Sequence, residues 1–254
     1  DDIVVGREGD DTYHYARGDG SDVIYDGDLS VDIFGDGKDN DRLVFTGDIR
    51  WTDINFIREG ATDNVELNID GTDDSIFLRE MFKTGIFQGY INLIDRLEFS
   101  DGTVWDYTKL TQHIIDIART DGDDLIYGWG LSDLMDGGAG NDRLIGFGGS
   151  DTYTFARGYG EDVVVDSGGG NDKLVMQEIA FADVDVLRDG KDLIFRLKDT
   201  GETLTLEDQY DRHNAQGRAV ESFVFTDQTL TFTQLNPHVQ DVVGTAGDDI
   251  LYGS

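Results

Sequence analysis

Between Arg119 and Thr154 a bulky apolar residue returns at a fixed place in every nine, a period that fits neither a plain strand nor a helix. Four nine-residue units run end to end there: RTDGDDLIY, GWGLSDLMD, GGAGNDRLI and GFGGSDTYT. The eighth place of each is bulky (Ile126, Met135, Leu144, Tyr153) and the sixth is Asp (Asp124, Asp133, Asp142, Asp151). The first six places are rich in Gly and Asp and suit a tight turn, because Gly reaches backbone angles that other residues avoid. The last three predict a very short strand with one side chain facing inward. Loop, strand, loop, strand then closes a coil of two units, eighteen residues, flattened into two sheets.

The same nine-residue pattern opens the chain and continues past Thr154. Asp2 and Val4 hold the sixth and eighth places of a truncated unit, followed by units with Asp11 and Tyr13, Asp22 and Ile24, and Asp41 and Leu43. Beyond Thr154 the units carry Asp162 with Val164 and Asp172 with Leu174, and a last unit at the end of the chain carries Asp249. The segments GDDTYHYARGDGSDVIYD and GSDTYTFARGYGEDVVVD align at an offset of 140, so the chain reads as a tandem duplication. An acidic stretch, residues 26–35, interrupts only the first copy, and it lacks the ligand spacing and flanking helices of an EF-hand, so it reads as a solvated loop.

After each block the period changes. Residues 54–58, 65–69 and 76–79 in the first copy, and 184–188, 193–197 and 203–208 in the second, alternate or cluster apolar residues between turn signals, as strands do. Each copy then has a strand–turn–strand element, residues 96–106 and 221–232. A helix is expected over Thr108–Ala118, with Leu110, Ile114 and Ile117 on one face. Its counterpart near residues 233–239 holds the only proline, Pro237, and should be shorter. The expected fold is all-β: two parallel β-roll blocks in tandem, each followed by a β-rich flanking domain with a short helix. The expected boundaries are 1–45, 46–118, 119–176, 177–240 and 241–254.

Charge gives the pattern its chemistry. Asp residues eighteen apart stack on one edge of such a coil, Asp124 beside Asp142 and Asp133 beside Asp151. Stacked carboxylates repel unless a cation lies between them, and calcium accepts the six to eight oxygen ligands that such loops offer. Successive carbonyls of an extended loop alternate in direction, so places one and three should face one neighbouring coil and places two and four the other. The candidate carbonyl donors are Gly128, Gly130, Gly137, Gly138, Ala139, Gly140, Gly146, Gly148, Gly149, Gly158 and Gly160. The loops expected to stack are 119–124 with 137–142, 128–133 with 146–151, 137–142 with 157–162, and 146–151 with 167–172.

In its third unit, GGxGxDxUx at every place, and in the phase of its neighbours, the chain resembles the RTX, or haemolysin-type calcium-binding, family of secreted bacterial proteins. The resemblance implies a parallel β-roll with several calcium ions between its turns, and export of the unfolded chain by type I secretion with folding outside the cell. The segments after each block resemble the haemolysin-type calcium-binding protein related domain. Its F-x-DGT-x-W mark stands here as Phe99, Asp101-Gly102-Thr103 and Trp105. The second copy departs, with Asp227-Gln228-Thr229 and Thr231, so its turn must be built differently.

The composition excludes several alternatives. With 53 Asp+Glu against 20 Lys+Arg, a formal net charge of −33, the surface is a poor partner for nucleic acid or anionic membrane. There is no cysteine, no apolar run long enough to span a bilayer and no visible signal peptide. Both ends cut the repeat, so the chain reads as a piece of a larger polypeptide. No G-x-S-x-G, HExxH or P-loop is present, and the four histidines (His14, His113, His213, His238) have no nucleophile pattern near them, so the chain is not expected to be an enzyme. Trp129 takes a second place normally held by Gly and is expected to point outward, which leaves either a contact patch or packing on the neighbouring β segment. The alternative readings are an adhesive module with structural calcium, whose partner is a glycan or cell-surface ligand, and the export part of a secreted enzyme or toxin.

Overall fold

The computed structural model describes residues 1–6, 9–25, 40–81, 94–211 and 220–241. The chain divides into two units, residues 1–114 and 115–254. Among the described residues the fold is all-β apart from two short α-helices and brief 3-10 turns.

Among the described residues of the second unit each nine-residue repeat contributes one strand, and alternate repeats enter opposite sheets. Leu125–Tyr127, Arg143–Phe147 and Glu161–Asp166 pair in parallel in one sheet, while Leu134–Asp136, Thr152–Phe155 and Asp172–Met176 pair in parallel in the other. The register stacks eighth place on eighth place, Ile126 on Leu144 on Val164 and Met135 on Tyr153 on Leu174. All six of these side chains are buried and form the coil's core. A nine-residue period sets this register, because a slip of one would turn every core residue outward.

The strands that follow the repeats extend these same two sheets. Thr203–Leu206 pairs in parallel with Glu161–Asp166 and carries Asp192–Leu197 and Val184–Asp189 as antiparallel neighbours. Val220–Val224 pairs in parallel with Asp172–Met176 and turns back through Thr229–Thr231. Their alternation continues the core inward with Leu204, Leu206 and Phe223. Coil and flanking strands therefore share one hydrogen-bonded framework.

The first unit has the same organisation within itself. One sheet runs Ile3–Val5, Ser21–Tyr25, Ser75–Leu78, Val65–Ile69, Ile54–Ile57, and the other Thr12–Tyr15, Arg42–Phe45, Arg96–Glu98, Val104–Asp106. Tyr13, Leu43 and Leu97 stack in register, as do Val4, Ile24 and Leu78. Phe45 and Phe99 stack at 5.3 Å, and Trp105 packs against Trp51, Phe56, Phe99 and His113. The Asp101-Gly102-Thr103 turn closes with Asp101 Oδ1 accepting the Thr103 amide at 2.9 Å, and Gly102 takes a φ of 86° that favours glycine. In the second unit Asp227 instead accepts the Phe181 amide at 3.0 Å, so the departing sequence makes a different turn.

The expected helix forms over Tyr107–Ala118, started by Asp106 Oδ1 accepting the Lys109 amide at 2.8 Å. Leu110 and Ile114 are buried as expected. Ile115 rather than Ile117 completes the stripe, because Ile117 lies in the last turn and is 45% exposed. The counterpart is a four-residue helix, Phe232–Leu235, with Thr231 and Gln234 as a capping box and a 3-10 turn at Asn236–His238 that accommodates Pro237. Among the described residues no helix is long and apolar enough to cross a membrane.

Candidate metal centre

The sixth-place aspartates sit where each loop enters its strand, and the winding brings them together as two ladders. In each rung one carboxylate oxygen accepts the amide of the Asp one coil earlier. Asp142 Oδ1 accepts from Asp124 at 2.9 Å, Asp162 Oδ1 from Asp142 at 2.9 Å, Asp151 Oδ1 from Asp133 at 3.0 Å and Asp172 Oδ1 from Asp151 at 2.8 Å. The backbone returns the contact, with the Arg143, Val163, Thr152 and Lys173 amides donating to the Asp124, Asp142, Asp133 and Asp151 carbonyls at 2.8 Å each. In the first unit Asp22 Oδ1 accepts the Asp2 amide at 2.8 Å and Asp41 Oδ1 the Asp11 amide at 2.7 Å. Asp249, the stretch 26–35 and His213 lie outside the described residues.

The loops are built to let coils approach. The carbonyl of place four lies against place four of the next coil: a Cβ added to Gly140, Gly149, Gly160 or Gly170 would stand 2.4, 2.0, 2.3 or 1.6 Å from the carbonyl oxygen of Gly122, Leu131, Gly140 or Gly149. Leu131 is tolerated because it contributes only its carbonyl to this contact, and glycine is needed on the later coil. The place-four amides of Gly140 and Gly149 donate to the place-three carbonyls of Tyr159 and Gly169, so places three and four do face opposite neighbours. At place one the added Cβ of Gly128, Gly137 or Gly146 would meet Oδ2 of that loop's own Asp at 2.7, 2.3 or 2.4 Å, so glycine leaves room for the carboxylate. Gly138 and Gly158 turn their loops with φ of 89° and 87°. Gly130, Ala139 and Gly148 are half-buried in the loop walls.

The second carboxylate oxygen is the informative one. In the first loop of each ladder the carboxylate is satisfied within its own loop, by the Thr120 amide on Asp124 and the Trp129 amide on Asp133, each at 2.6 Å. Further along the ladders the Oδ2 atoms of Asp142, Asp151 and Asp172 are buried with no hydrogen-bond partner, although each residue is only 1% exposed. The loops of Asp142 and Asp151 have positive φ at place two, 89° at Gly138 and 66° at Phe147, and lack the amide-to-carboxylate bond of the first loops. Buried anions without partners are expensive.

The acidities follow. Burial pushes the Asp151 carboxyl up to about 8, with repulsion from Asp133, Asp166 and Asp172 adding to it. Burial likewise lifts Asp162 to about 7, helped by Asp142 and Asp136, and lifts Asp142 and Asp172 in the same direction. A cation among these oxygens would reverse every one of these pressures. Every donor is a carboxylate or a carbonyl oxygen, with no cysteine in the chain, and that set suits a hard cation of calcium's kind rather than zinc or copper. The residues present fit such an ion.

Four carboxylates that accept amides of the repeat loops were not among the sequence candidates. Glu221 Oε2 accepts the Asp172 amide at 2.7 Å and Asp95 Oδ2 the Asp41 amide at 2.7 Å, so each ends a ladder. Glu202 and Asp74 accept the Gly158 and Gly18 amides at 2.9 and 2.8 Å. All four stand in the signature acid–any–apolar of places six to eight (Asp74-Ser75-Ile76, Asp95-Arg96-Leu97, Glu202-Thr203-Leu204, Glu221-Ser222-Phe223), which could have found them without the preceding glycines. Trp129 is a correction: it is 2% exposed, not outward-pointing, and offers no contact patch. His14 is an exposed strand residue, whereas His113 and His238 pack edge-on against aromatic rings.

Residues 64–109 match the family model of the haemolysin-type calcium binding protein related domain. No curated protein matches the chain. The crystal structure of the extracellular lipase LipA from Serratia marcescens is similar with a TM-score of 0.31 and 15% identity, over 86% of this chain and 38% of that one. This chain thus spans well under half the length of that lipase. Residues 64–109 are thus similar to a haemolysin-type calcium binding protein related domain, the resemblance read from Phe99, Asp101-Gly102-Thr103 and Trp105.

Proposed function

We propose that this chain is a calcium-binding RTX-type module of a larger secreted bacterial protein and that it folds when calcium binds after export. The observation that carries the reading is the buried ladder, in which Asp142, Asp151 and Asp172 each keep one oxygen without a partner inside the protein. Asp124, Asp133, Asp142, Asp151, Asp162 and Asp172, with the loop carbonyls beside them, would hold the ions, and Asp2, Asp11, Asp22 and Asp41 would do so in the first unit. Calcium supplies charge neutralisation there. The chain's part is to align the carboxylates, to exclude water behind the eighth-place side chains, and to let the loops close through glycine. A ligand that binds only the folded state stabilises it by about 2.7 kcal/mol at a hundredfold excess over its dissociation constant, and several sites multiply that. With a net charge of −33, self-repulsion holds the ion-free chain open. Calcium-rich surroundings outside a cell and calcium-poor ones inside then decide where folding happens.

No catalytic role is assigned to this segment. The acids raised most by burial in the coil, Asp151 and Asp162, each accept the amide of the Asp one coil earlier. The test is a calcium titration followed by circular dichroism, with magnesium in parallel. Ordering by calcium and little effect of magnesium, whose octahedral shell is stricter, is the expected result. Full order in excess chelator at neutral pH would overturn the reading.

A further inference from the structure

The two units differ on the outer face of the sheet that carries the flanking hairpin. In the first unit the strand register sets Val23, Phe77, Glu66 and Ile57 side by side across four strands, at places between the inward core residues. Ile57 is 38% exposed, while Val23, Phe77 and Glu66 are half-buried. Glu66 thus stands between two apolar side chains, and among the described residues neither it nor Glu59 is in an ion pair. Here the surface holds a pocket of about 40 Å³, lined by Ile57, Glu59, Thr62, Asn64, Glu66 and Phe77. That is room for about three water-sized groups. Its wall is the connection 58–64, where Arg58 Nε donates to the Thr62 carbonyl at 2.8 Å and the Thr62 amide donates to the Glu59 carbonyl at 3.3 Å. Asn64 Oδ1 accepts the Glu80 amide at 2.8 Å and fixes the far end of that wall. In the second unit the matching row is Val163, Thr205, Ile194 and Leu187, and only Gly190-Lys191 joins the last two strands. The acid, the ring and the longer wall are therefore particular to the first unit.

We propose that this pocket receives an arginine or lysine side chain of a basic partner polypeptide, with its aliphatic stem between Ile57 and Phe77 and its charge on Glu66 and Glu59. Long cationic side chains cover apolar surface with their stems and keep the charged head at the rim. The two carboxylates supply the counter-charge, and a guanidinium can also stack on the Phe77 ring. A second copy of this chain is a poor occupant, because each copy carries a net charge of −33. A small free cation would fill the pocket alone, whereas the apolar row continues past it. Val23 lies two strands beyond Glu66, about 10 Å at the usual strand spacing. The next side chain on the same face of an extended segment, about 7 Å along, reaches toward that row. The partner is thus an extended segment with an apolar residue two places from its cation. The site goes beyond the calcium reading and uses none of the ladder aspartates.

The experiment measures binding of an end-blocked peptide, Val-Ser-Arg-Ser-Val, to the whole chain in saturating calcium by saturation-transfer NMR. Salt at about 0.15 M screens the general field of the chain beyond about 8 Å. Circular dichroism in the same buffer checks that each variant is folded. Replacing the peptide's arginine by uncharged citrulline, Glu66→Gln and Ile57→Ser are each expected to weaken binding about threefold or more. Glu161→Gln removes one exposed charge from the second unit and is expected to leave binding unchanged. Equal weakening by Glu66→Gln and Glu161→Gln, equal binding of the arginine and citrulline peptides, or no binding to the wild-type chain overturns the pocket. Arginine amide alone binding as tightly as the pentapeptide overturns the polypeptide partner. Each of these failures leaves the calcium reading standing, because calcium-driven ordering is read separately by dichroism.

Discussion

Replacing Asp151 by Asn separates a ladder held by cations from one held by its own hydrogen bonds. The amide keeps the size of the side chain and an oxygen to accept the Asp133 amide, and it removes only the charge. At about 1.4 kcal/mol for each tenfold change in acidity, lifting this carboxyl from 3.8 to about 8 sets a ceiling of roughly 6 kcal/mol on the cost of ionising it in place. Relaxation and water entry reduce such penalties, so the realised gain for Asp151→Asn in chelator is about 2 kcal/mol. In calcium the sign reverses. Losing one ion held at a hundredfold excess over its dissociation constant removes about 2.7 kcal/mol, and the partner ladder residues lose a neutralising charge as well. The assay is the ordered fraction by circular dichroism near pH 8, in chelator and across a calcium titration. The variant should be more ordered than wild type without calcium and need more calcium to reach full order. A variant less ordered than wild type under both conditions would refute the reasoning, since the carboxylate would then stabilise the coil unaided.

Other expectations follow from the same geometry. Carboxyls raised by folding contribute stability that is present below their unfolded value and lost as pH rises through the folded one. The ion-free chain should therefore gain order as pH falls from about 8 through 7 toward the ordinary carboxylate range, and dichroism in chelator reads this directly. Calcium uptake at pH 7 should release protons, seen as a buffer-dependent heat in calorimetry; a heat independent of buffer would count against it. Gly140→Ala puts a methyl 2.4 Å from the Gly122 carbonyl at a φ of 133° and should cost about 3 kcal/mol or more. Gly158→Ala, with φ of 87° and open space around it, should cost only about 1–2 kcal/mol; urea unfolding in calcium compares the two. Glu221→Ala leaves the buried Asp172 amide without its acceptor and should cost about 1–2 kcal/mol in the same assay.

What was legible in the sequence is what the nine-residue period encodes. Ile126, Met135, Leu144 and Tyr153 are inside because a short strand has only one inward place, and Asp124 meets Asp142 because two such strands close a coil. Features set by the third dimension were harder to see. Asp166 breaks the period, and its meeting with Asp151 and Asp172 depends on the coil to which it adds a residue. Asp74, Asp95, Glu202 and Glu221 carry the acid–any–apolar signature without the glycines, because they end a stack and need no room for a later coil. Trp129 was misplaced because its loop does not take the positive φ of Gly138, Phe147 and Gly158, so its side chain does not follow the direction expected of a second place. The strands after the repeats read as an alternating pattern, but only pairing shows that they extend the coil's sheets.

The central claim, that stacked aspartates on the coil edges are held by divalent ions, is tested most directly by anomalous diffraction from crystals grown in calcium. Ion peaks between the coils at Asp142 and Asp162, and between those at Asp151 and Asp172, are the predicted result. An ordered coil whose edges hold only water would contradict it.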